Sequence, residues 1–298
     1  MGPKVILITG ASSGIGKASA ELLSARGHRV YGTSRSLSFA PEEFLSLQMD
    51  VTDDTSVKQA IDAVIQREGR LDVVVNNAGY GLAGSIEDTT TAEAQRQLDV
   101  NFMGAFRVSR AALEQMRRQR GGLIINLSSL AGLFGLPFQG VYSASKFALE
   151  GLSESLRYEV GAHGIRVVLI EPGDIKTNIT ANRALVDTAN SAYREQFQTV
   201  LNIIEREERN GAEANRIAKL VCKIVETNSG RIRYTAGHWS QRLAVAFKRI
   251  APFALFEWVL GSWYGVAPPK RARATGVTNQ DGGKAEAQRP EYTPFSER

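Results

Sequence analysis

The residues best suited to chemistry lie between Ile124 and Glu150, where a tyrosine and a lysine stand four positions apart. Tyr142 and Lys146 fall in a segment with a helical pattern, so they share one helix face with their Cα atoms roughly 6 Å apart. A neighbouring ammonium favours the phenolate, and we expect it to lower the pKa of the tyrosine from about 10. Such a pair can transfer protons, although a tyrosine beside an exposed lysine on an amphipathic helix has the same spacing.

A glycine-rich turn, TGASSGIG at residues 9–16, is a second candidate site. It follows a short apolar strand pattern, Val5 to Ile8, and opens an amphipathic helix pattern that ends at Gly27. Glycines let the backbone approach a ligand closely, while free amides and the helix dipole favour a pyrophosphate. Any tight strand-to-helix turn favours glycine, but the first such turn of an alternating chain is where dinucleotides bind.

Composition excludes several classes of function. The 298 residues are 43% hydrophobic, enough to bury the core of one domain or at most two. Of the net charge of +5, residues 267–298 carry +2, from six basic and four acidic residues, so we expect no nucleic-acid partner. The three histidines lack metal-ligand spacing, so no metal site is predicted. A single cysteine, Cys222, excludes an internal disulfide.

The amino-terminal and carboxyl-terminal regions of the sequence indicate where in the cell the protein is expected to be. The chain runs from Met1 directly into the first strand pattern, which leaves no room for a signal peptide and predicts a cytoplasmic protein. Residues 243–266 are apolar but interrupted by Lys248, Arg249 and Glu257, so they are not expected to span a bilayer. This segment could contact a membrane surface weakly, cover a substrate pocket or meet another subunit, and we favour packing on the core.

Alternating strand and helix patterns predict an α/β fold, a Rossmann-type doubly wound parallel sheet in a single domain over residues 1–240. The strand patterns cover residues 5–8, 28–35, 44–51, 71–75, 123–127, 165–170 and 231–235. Residues 178–210 lack the alternation of strand and helix patterns, and we predict that they form a substrate-cleft insertion. Residues 241–266 are predicted to form an apolar extension packed on the domain. The tail, 267–298, is expected to be disordered. Asn101 lies within a long helix pattern, 91–119, where asparagine indicates a bend or a polar task.

Three ordered motifs resemble those of the short-chain dehydrogenase/reductase family, in the compact branch without a separate substrate domain. They are the turn at residues 9–16, Asn76-Asn77-Ala78-Gly79, and Tyr142-Ser-Ala-Ser-Lys146. The resemblance extends from residue 4 to about 240. It implies hydride transfer with Tyr142 as general acid or base and Lys146 on the nicotinamide ribose. It also implies that Asn101 holds a water that links the lysine to solvent.

The same resemblance selects Ser129 as the catalytic serine, because it precedes the tyrosine by thirteen positions. Its hydroxyl can donate to an oxygen on which charge develops, although either Ser128 or Ser129 could simply cap a helix. The resemblance assigns cofactor contacts to Gly10, Ser12, Ser13, Gly14, Ile15, Gly16, Arg35, Asp50, Val51, Asn77, Ala78, Gly79, Tyr142, Lys146, Pro172, Gly173, Ile175 and Thr177. For Asp50, a turn or cap is the competing interpretation, and Pro172-Gly173 could be only a turn.

The end of the second strand indicates which cofactor is preferred. An acid there would bind the ribose 2′-hydroxyl of NAD, whereas this chain has Thr33-Ser34-Arg35 and no acid. The sequence therefore predicts NADP(H) over NAD(H), unless Arg35 is an ordinary surface arginine.

The apolar carboxyl-terminal segment and the region after Thr177 suggest a hydrophobic alcohol and its ketone or aldehyde. The sequence looks closest to hydroxysteroid and retinol dehydrogenases. A 3-ketoacyl-thioester reductase of the same family stays open, as does a non-catalytic NADPH-binding sensor or scaffold. Family members usually pair through the helices that contain Asn101 and Tyr142, which implies a homodimer or homotetramer.

Overall fold

The computed structural model describes residues 2–36, 43–177, 182–227 and 229–266. Its strands, in chain order, are β1 (Val5–Ile8), β2 (Arg29–Ser34), β3 (Leu45–Gln48), β4 (Val73–Asn76), β5 (Leu82–Ala83), β6 (Gly122–Leu127), β7 (Ile165–Pro172), β8 (Ile175–Lys176), β9 (Ala184–Leu185), β10 (Ala212–Glu213) and β11 (Arg233–Ala236). The predicted disorder of residues 267–298 lies outside the described residues.

The α-helices are α1 (Gly14–Ala25), α2 (Asp54–Glu68), α3 (Thr91–Leu98), α4 (Gly104–Arg118), α5 (Gly140–Val160), α6 (Arg194–Arg209), α7 (Ala214–Glu226), α8 (Trp239–Ile250) and α9 (Phe253–Trp263). A π-helical turn, Asp99–Met103, joins α3 to α4, and a 3-10 turn, Leu130–Gly132, follows β6. The predicted long helix over 91–119 is therefore divided. The irregularity indicated by Asn101 is confirmed, since that residue lies in the π turn.

A parallel sheet forms the centre of the fold, with its strands in the order β11-β7-β6-β4-β1-β2-β3. The predicted doubly wound parallel sheet is confirmed. From β1 the chain builds outward on one side through β2 and β3, then returns to β4 and builds outward on the other. The strand order reverses between β1 and β4, and ligands of such sheets bind at the carboxyl ends beside this reversal.

Helices cover both faces of the sheet, which explains why the central strands are apolar throughout. On one face, Ala20 and Leu23 of α1 pack with Ile217 and Val221 of α7. On the other face, α2, α4 and α5 contribute residues such as Ile61, Val108 and Leu156.

The carboxyl-terminal helices α8 and α9 pack on the segment that follows β6. Val245 and Phe256 form a small core with Leu130 and Phe134, and the two phenylalanine rings meet edge to face at 5.3 Å. These two helices carry exposed large apolar side chains at Trp239, Leu243, Ile250, Phe253, Leu255, Trp258, Val259 and Trp263. Among the residues described, no helix combines the length and the hydropathy that crossing a membrane requires.

Candidate active site

A cleft of about 1650 Å³ opens at the carboxyl ends of the central strands. It is lined by the glycine-rich turn, the loop after β4, the serines after β6, the first turns of α5 and the segment that ends β7. The structure thus brings together every site residue predicted from the sequence except Gly16 and Asn101, which do not line the cleft.

The glycine-rich turn has the backbone geometry that a phosphate cradle needs. Gly10 and Gly14 adopt φ values of +65° and +58°, a region that side chains disfavour. A Cβ atom on Gly16 would lie 2.4 Å from the Gly10 carbonyl oxygen, so only glycine fits there. The Ser13 side chain makes no capping hydrogen bond, and the first turn of α1 holds no acid. Its amides can therefore receive a pyrophosphate, and the turn fits a dinucleotide.

Asn77 fastens this turn to the loop after β4. Its side-chain amide donates to the carbonyl oxygens of Thr9 and Gly10 at 2.8 and 3.0 Å. The backbone N–H groups of Asn77 and Ala78 both donate to the Thr9 hydroxyl, at 2.9 and 2.8 Å. The two loops consequently form one hydrogen-bonded floor of the cleft.

Arg35 and Asp50, which the sequence predicts to meet the adenosine, both line the cleft. Arg35 is exposed and directly follows β2. One carboxylate oxygen of Asp50 accepts hydrogen bonds from the backbone and the hydroxyl of Thr52, at 2.9 and 2.8 Å. Asp53, not Asp50, caps α2 by accepting from Thr55. Asp50 is therefore a turn residue at the cleft wall and not a helix cap.

Tyr142 and Ser129 face each other across the middle of the cleft. Tyr142 is the third residue of α5, and Ser129 is the N-cap of the 3-10 turn. The Ser129 hydroxyl oxygen accepts from the Ala131 amide at 3.1 Å, which leaves its hydrogen to be donated. Burial raises the pKa of Tyr142, and the hydroxyl of Ser129 acts in the opposite direction.

Lys146 lies one turn along α5, and its ammonium is held by a backbone carbonyl. It donates to the Leu127 carbonyl at 2.8 Å and lies 5.8 Å from the centre of the Tyr142 ring. The predicted lowering of the tyrosine pKa was wrong, because removal of the phenol from solvent outweighs nearby charges. Burial instead lowers the pKa of Lys146 to about 8, while Glu150 acts to raise it.

Asn101 supports the wall behind the cleft. Its side-chain oxygen accepts from the Tyr80 amide at 3.0 Å, and its nitrogen donates to the Tyr80 carbonyl at 3.0 Å and to Ser145 at 3.2 Å. These contacts tie the π turn to the loop after β4 and to α5. The water assigned to Asn101 by resemblance stays a prediction.

Sequence reasoning missed a group of charged residues beside Tyr142. Arg183 and Glu208 form an ion pair whose side chains are only 4% and 9% exposed. Asp174, which follows Pro172-Gly173, also lines the cleft. The charges of all three residues affect the titration of Tyr142. Of these three residues, only Asp174 could have been identified as a site candidate from the sequence, because it comes just after the carboxyl end of a predicted strand.

A second missed cluster lies beneath the cleft, where Arg233 of β11 contacts three carboxylates. Its guanidinium pairs with Glu150 at 2.9 Å and with Glu171 at 3.1 Å, and it also reaches Glu154. Glu171 is fully buried and accepts a further hydrogen bond from Thr235 at 2.7 Å. This cluster joins α5 to the end of the sheet, so it fixes the helix that carries Tyr142.

Comparisons with known proteins agree with this geometry. Residues 4–186 match the family described as short chain dehydrogenase. The chain is 43% identical over 268 residues to 3-ketodihydrosphingosine reductase of Bacteroides thetaiotaomicron, covering 89% of this chain and 100% of that protein. A short-chain dehydrogenase from Streptomyces avermitilis superimposes with a TM-score of 0.76 at 32% identity, over 88% of this chain and 98% of that one. ElxO with NADP bound gives a TM-score of 0.65 at 27% identity, over 78% of this chain and 97% of that one.

Proposed function

Since the chain belongs to the short-chain dehydrogenase family and is an oxidoreductase acting on CH–OH groups, we propose that it uses NADPH to reduce a ketone on a long hydrocarbon chain. The observation that carries this proposal is the cleft itself, which joins a phosphate cradle to an apolar wall with Tyr142 between them. The relative that aligns over its whole length is a reductase of 3-ketodihydrosphingosine, whose name describes a long-chain ketone.

The apolar wall comes from the carboxyl-terminal helices. Leu243, Phe247 and Ile250 of α8 and Phe256, Leu260 and Trp263 of α9 line the cleft. Each methylene group that a substrate buries against such a wall contributes about 0.8 kcal/mol to binding. This wall supports a substrate with a hydrocarbon chain over a small polar one.

The residues of the chain supply the proton and orient the carbonyl. When bound, the nicotinamide would supply the hydride that the carbonyl carbon receives. Because the pKa of Tyr142 is raised, its phenol is protonated at neutral pH and can act as the acid that protonates the carbonyl oxygen. The free hydrogen of Ser129 is placed to stabilise the same oxygen as charge develops on it. Lys146 holds a proton near the phenol and can take part in restoring it.

A test of this proposal measures the loss of NADPH absorbance with purified protein and a panel of carbonyl compounds. We expect turnover of 3-ketodihydrosphingosine and of a plain long-chain ketone, and less of a steroid ketone, retinal or a 3-ketoacyl thioester. Preferred turnover of the thioester would favour the alternative reductase. NADPH binding without reduction of any compound would contradict the proposal and support a sensor or scaffold.

Arg35 should set the preference for NADPH. We expect Arg35→Ala to raise KM for NADPH roughly 10-fold, the size expected from one charge-assisted hydrogen bond, while KM for NADH stays unchanged. Arg67→Ala removes the same charge from an exposed position of α2 outside the cleft and serves as the control. An equal effect of Arg35→Ala on both cofactors would show that Arg35 does not read the 2′-phosphate.

A further inference from the structure

The wall of the cleft beside Tyr142 carries charged side chains that the proton transfer does not use. Arg183 precedes β9, Glu208 lies near the end of α6, and Asp174 follows β7. All three line the cleft. Charged groups are costly to bury, so their presence at the point where an apolar wall meets the reacting atoms needs an explanation.

Arg183 is incompletely satisfied. One terminal nitrogen of its guanidinium donates to Glu208, whereas Nε and the other terminal nitrogen are buried and have no partner among the described residues. Its side chain is 4% exposed, so bulk water does not fill this role. Buried donors of this kind are normally paired, which points to an acceptor oxygen on a ligand.

The surroundings of Arg183 decide the charge of that ligand. Asp174, Glu207 and Glu208 all line the cleft, where Glu208 is paired with Arg183 and Glu207 with Arg206, so the carboxylate of Asp174 is the acid of the three that has no cationic partner among the described residues. In the described structure only Gln241 donates to the Asp174 carboxylate, through one of its two oxygens. Burial, followed by Glu208 and Glu207, raises the pKa of Asp174 to about 6, so it is mainly ionised at neutral pH. A carboxylate or phosphate would be repelled here, whereas an ammonium would be stabilised.

We infer that Asp174 and the Arg183–Glu208 pair form a head-group site for an amino alcohol adjacent to the reacting ketone. The substrate ammonium donates to Asp174, and a substrate hydroxyl oxygen accepts from the unpaired nitrogens of Arg183. The hydrocarbon chain then extends along α8 and α9. This inference rests on the proposed function and names the substrate class as long-chain amino-hydroxy ketones.

The role of Asp174 can be tested with three substrates, namely 3-ketodihydrosphingosine, its N-acetyl derivative and a plain ketone of equal chain length. We expect wild-type kcat/KM to be roughly 10- to 100-fold higher for the free amine than for the N-acetyl compound, as one charge-assisted hydrogen bond provides. Asp174→Asn should remove most of this ratio, chiefly through KM of the free amine. Glu205→Gln, a charge change on the outer side of α6, should keep the ratio.

The role of Arg183 can be tested by comparing substrates with and without the hydroxyl group that it is proposed to bind. Arg183→Lys keeps the charge opposite Glu208 but loses the forked donors, so we expect it to lose discrimination between 3-ketodihydrosphingosine and its 1-deoxy analogue. Binding of the product amino diol, measured by calorimetry without cofactor, provides a readout independent of turnover. It should weaken in both variants and not in Glu205→Gln.

The possible outcomes distinguish a failure of the head-group site from a failure of the proposed function. Reduction of all long-chain ketones with equal kcat/KM would overturn the head-group site and leave the proposed function standing. A uniform loss in Asp174→Asn, with the amine preference intact, would show a purely structural role and also overturn it. Failure to reduce any long-chain ketone would overturn the proposed function and the head-group site together.

Discussion

Replacing Tyr142 with phenylalanine is expected to reduce turnover by about 10²- to 10⁴-fold, the usual contribution of a positioned general acid. The variant removes only the phenolic oxygen, so the ring still packs in the first turns of α5. The phosphate cradle lies on different segments of the chain, and we therefore expect the affinity for NADPH to be largely kept. Stopped-flow measurement of NADPH oxidation, together with fluorescence titration of NADPH, separates the two quantities.

Tyr158→Phe is the matched control for this experiment. Tyr158 lies on the same helix, α5, but it is 90% exposed and outside the cleft. Its replacement should leave turnover as in the wild type. If Tyr142→Phe also retained wild-type turnover, the proton would have to come from another group, and the proposed site would be wrong.

Replacing Arg233 with methionine should cause the largest loss of stability. Methionine preserves part of the aliphatic packing but leaves Glu150 and Glu171 in the protein interior without their cation. Removing one partner of a buried ion pair typically lowers the free energy of unfolding by about 3–5 kcal/mol. Urea unfolding followed by circular dichroism measures this loss. Arg118→Met, which disrupts an exposed pair with Glu114, should change the free energy by less than about 1 kcal/mol.

The pH dependence of that loss distinguishes unpaired charge from poor packing. Burial already raises the pKa of Glu150, and removal of Arg233 would raise it further. A carboxyl whose pKa is higher in the folded than in the unfolded state binds more protons when folded, so folding is favoured as the pH falls. The deficit of Arg233→Met relative to wild type should therefore shrink from neutral toward acidic pH. A deficit independent of pH would indicate lost packing instead.

Patterns local in sequence predicted most of the fold and the position of the glycine-rich turn between β1 and α1. Strands such as β1 and β4 are largely apolar runs, and the glycine-rich turn has positive φ values at Gly10 and Gly14, a conformation that favours glycine. Asn101 likewise signalled an irregularity, because its side chain competes with the helix backbone. The sequence could not show that the irregularity is a π turn, since that depends on contacts with Tyr80 and Ser145.

Properties that depend on tertiary packing were not predictable in this way. The direction of the Tyr142 pKa shift depends on how much protein surrounds the phenol, and a spacing of four residues contains no such information. Arg183 and Glu208 are 25 positions apart and meet only after the segment beyond β7 has folded over the cleft. Arg233 is still farther from Glu150 in sequence, and only the pairing of β11 with β7 brings them together.

The hydrogen bonds of Asn77 affect how a dinucleotide is recognised. Because they fasten the loop after β4 to the glycine-rich turn, the protein has little conformational freedom to lose when phosphates arrive. The entropic penalty of association then falls mainly on the flexible ligand and not on the polypeptide. We therefore expect the pyrophosphate to dock on a preorganised surface, with little rearrangement of the loops around Thr9.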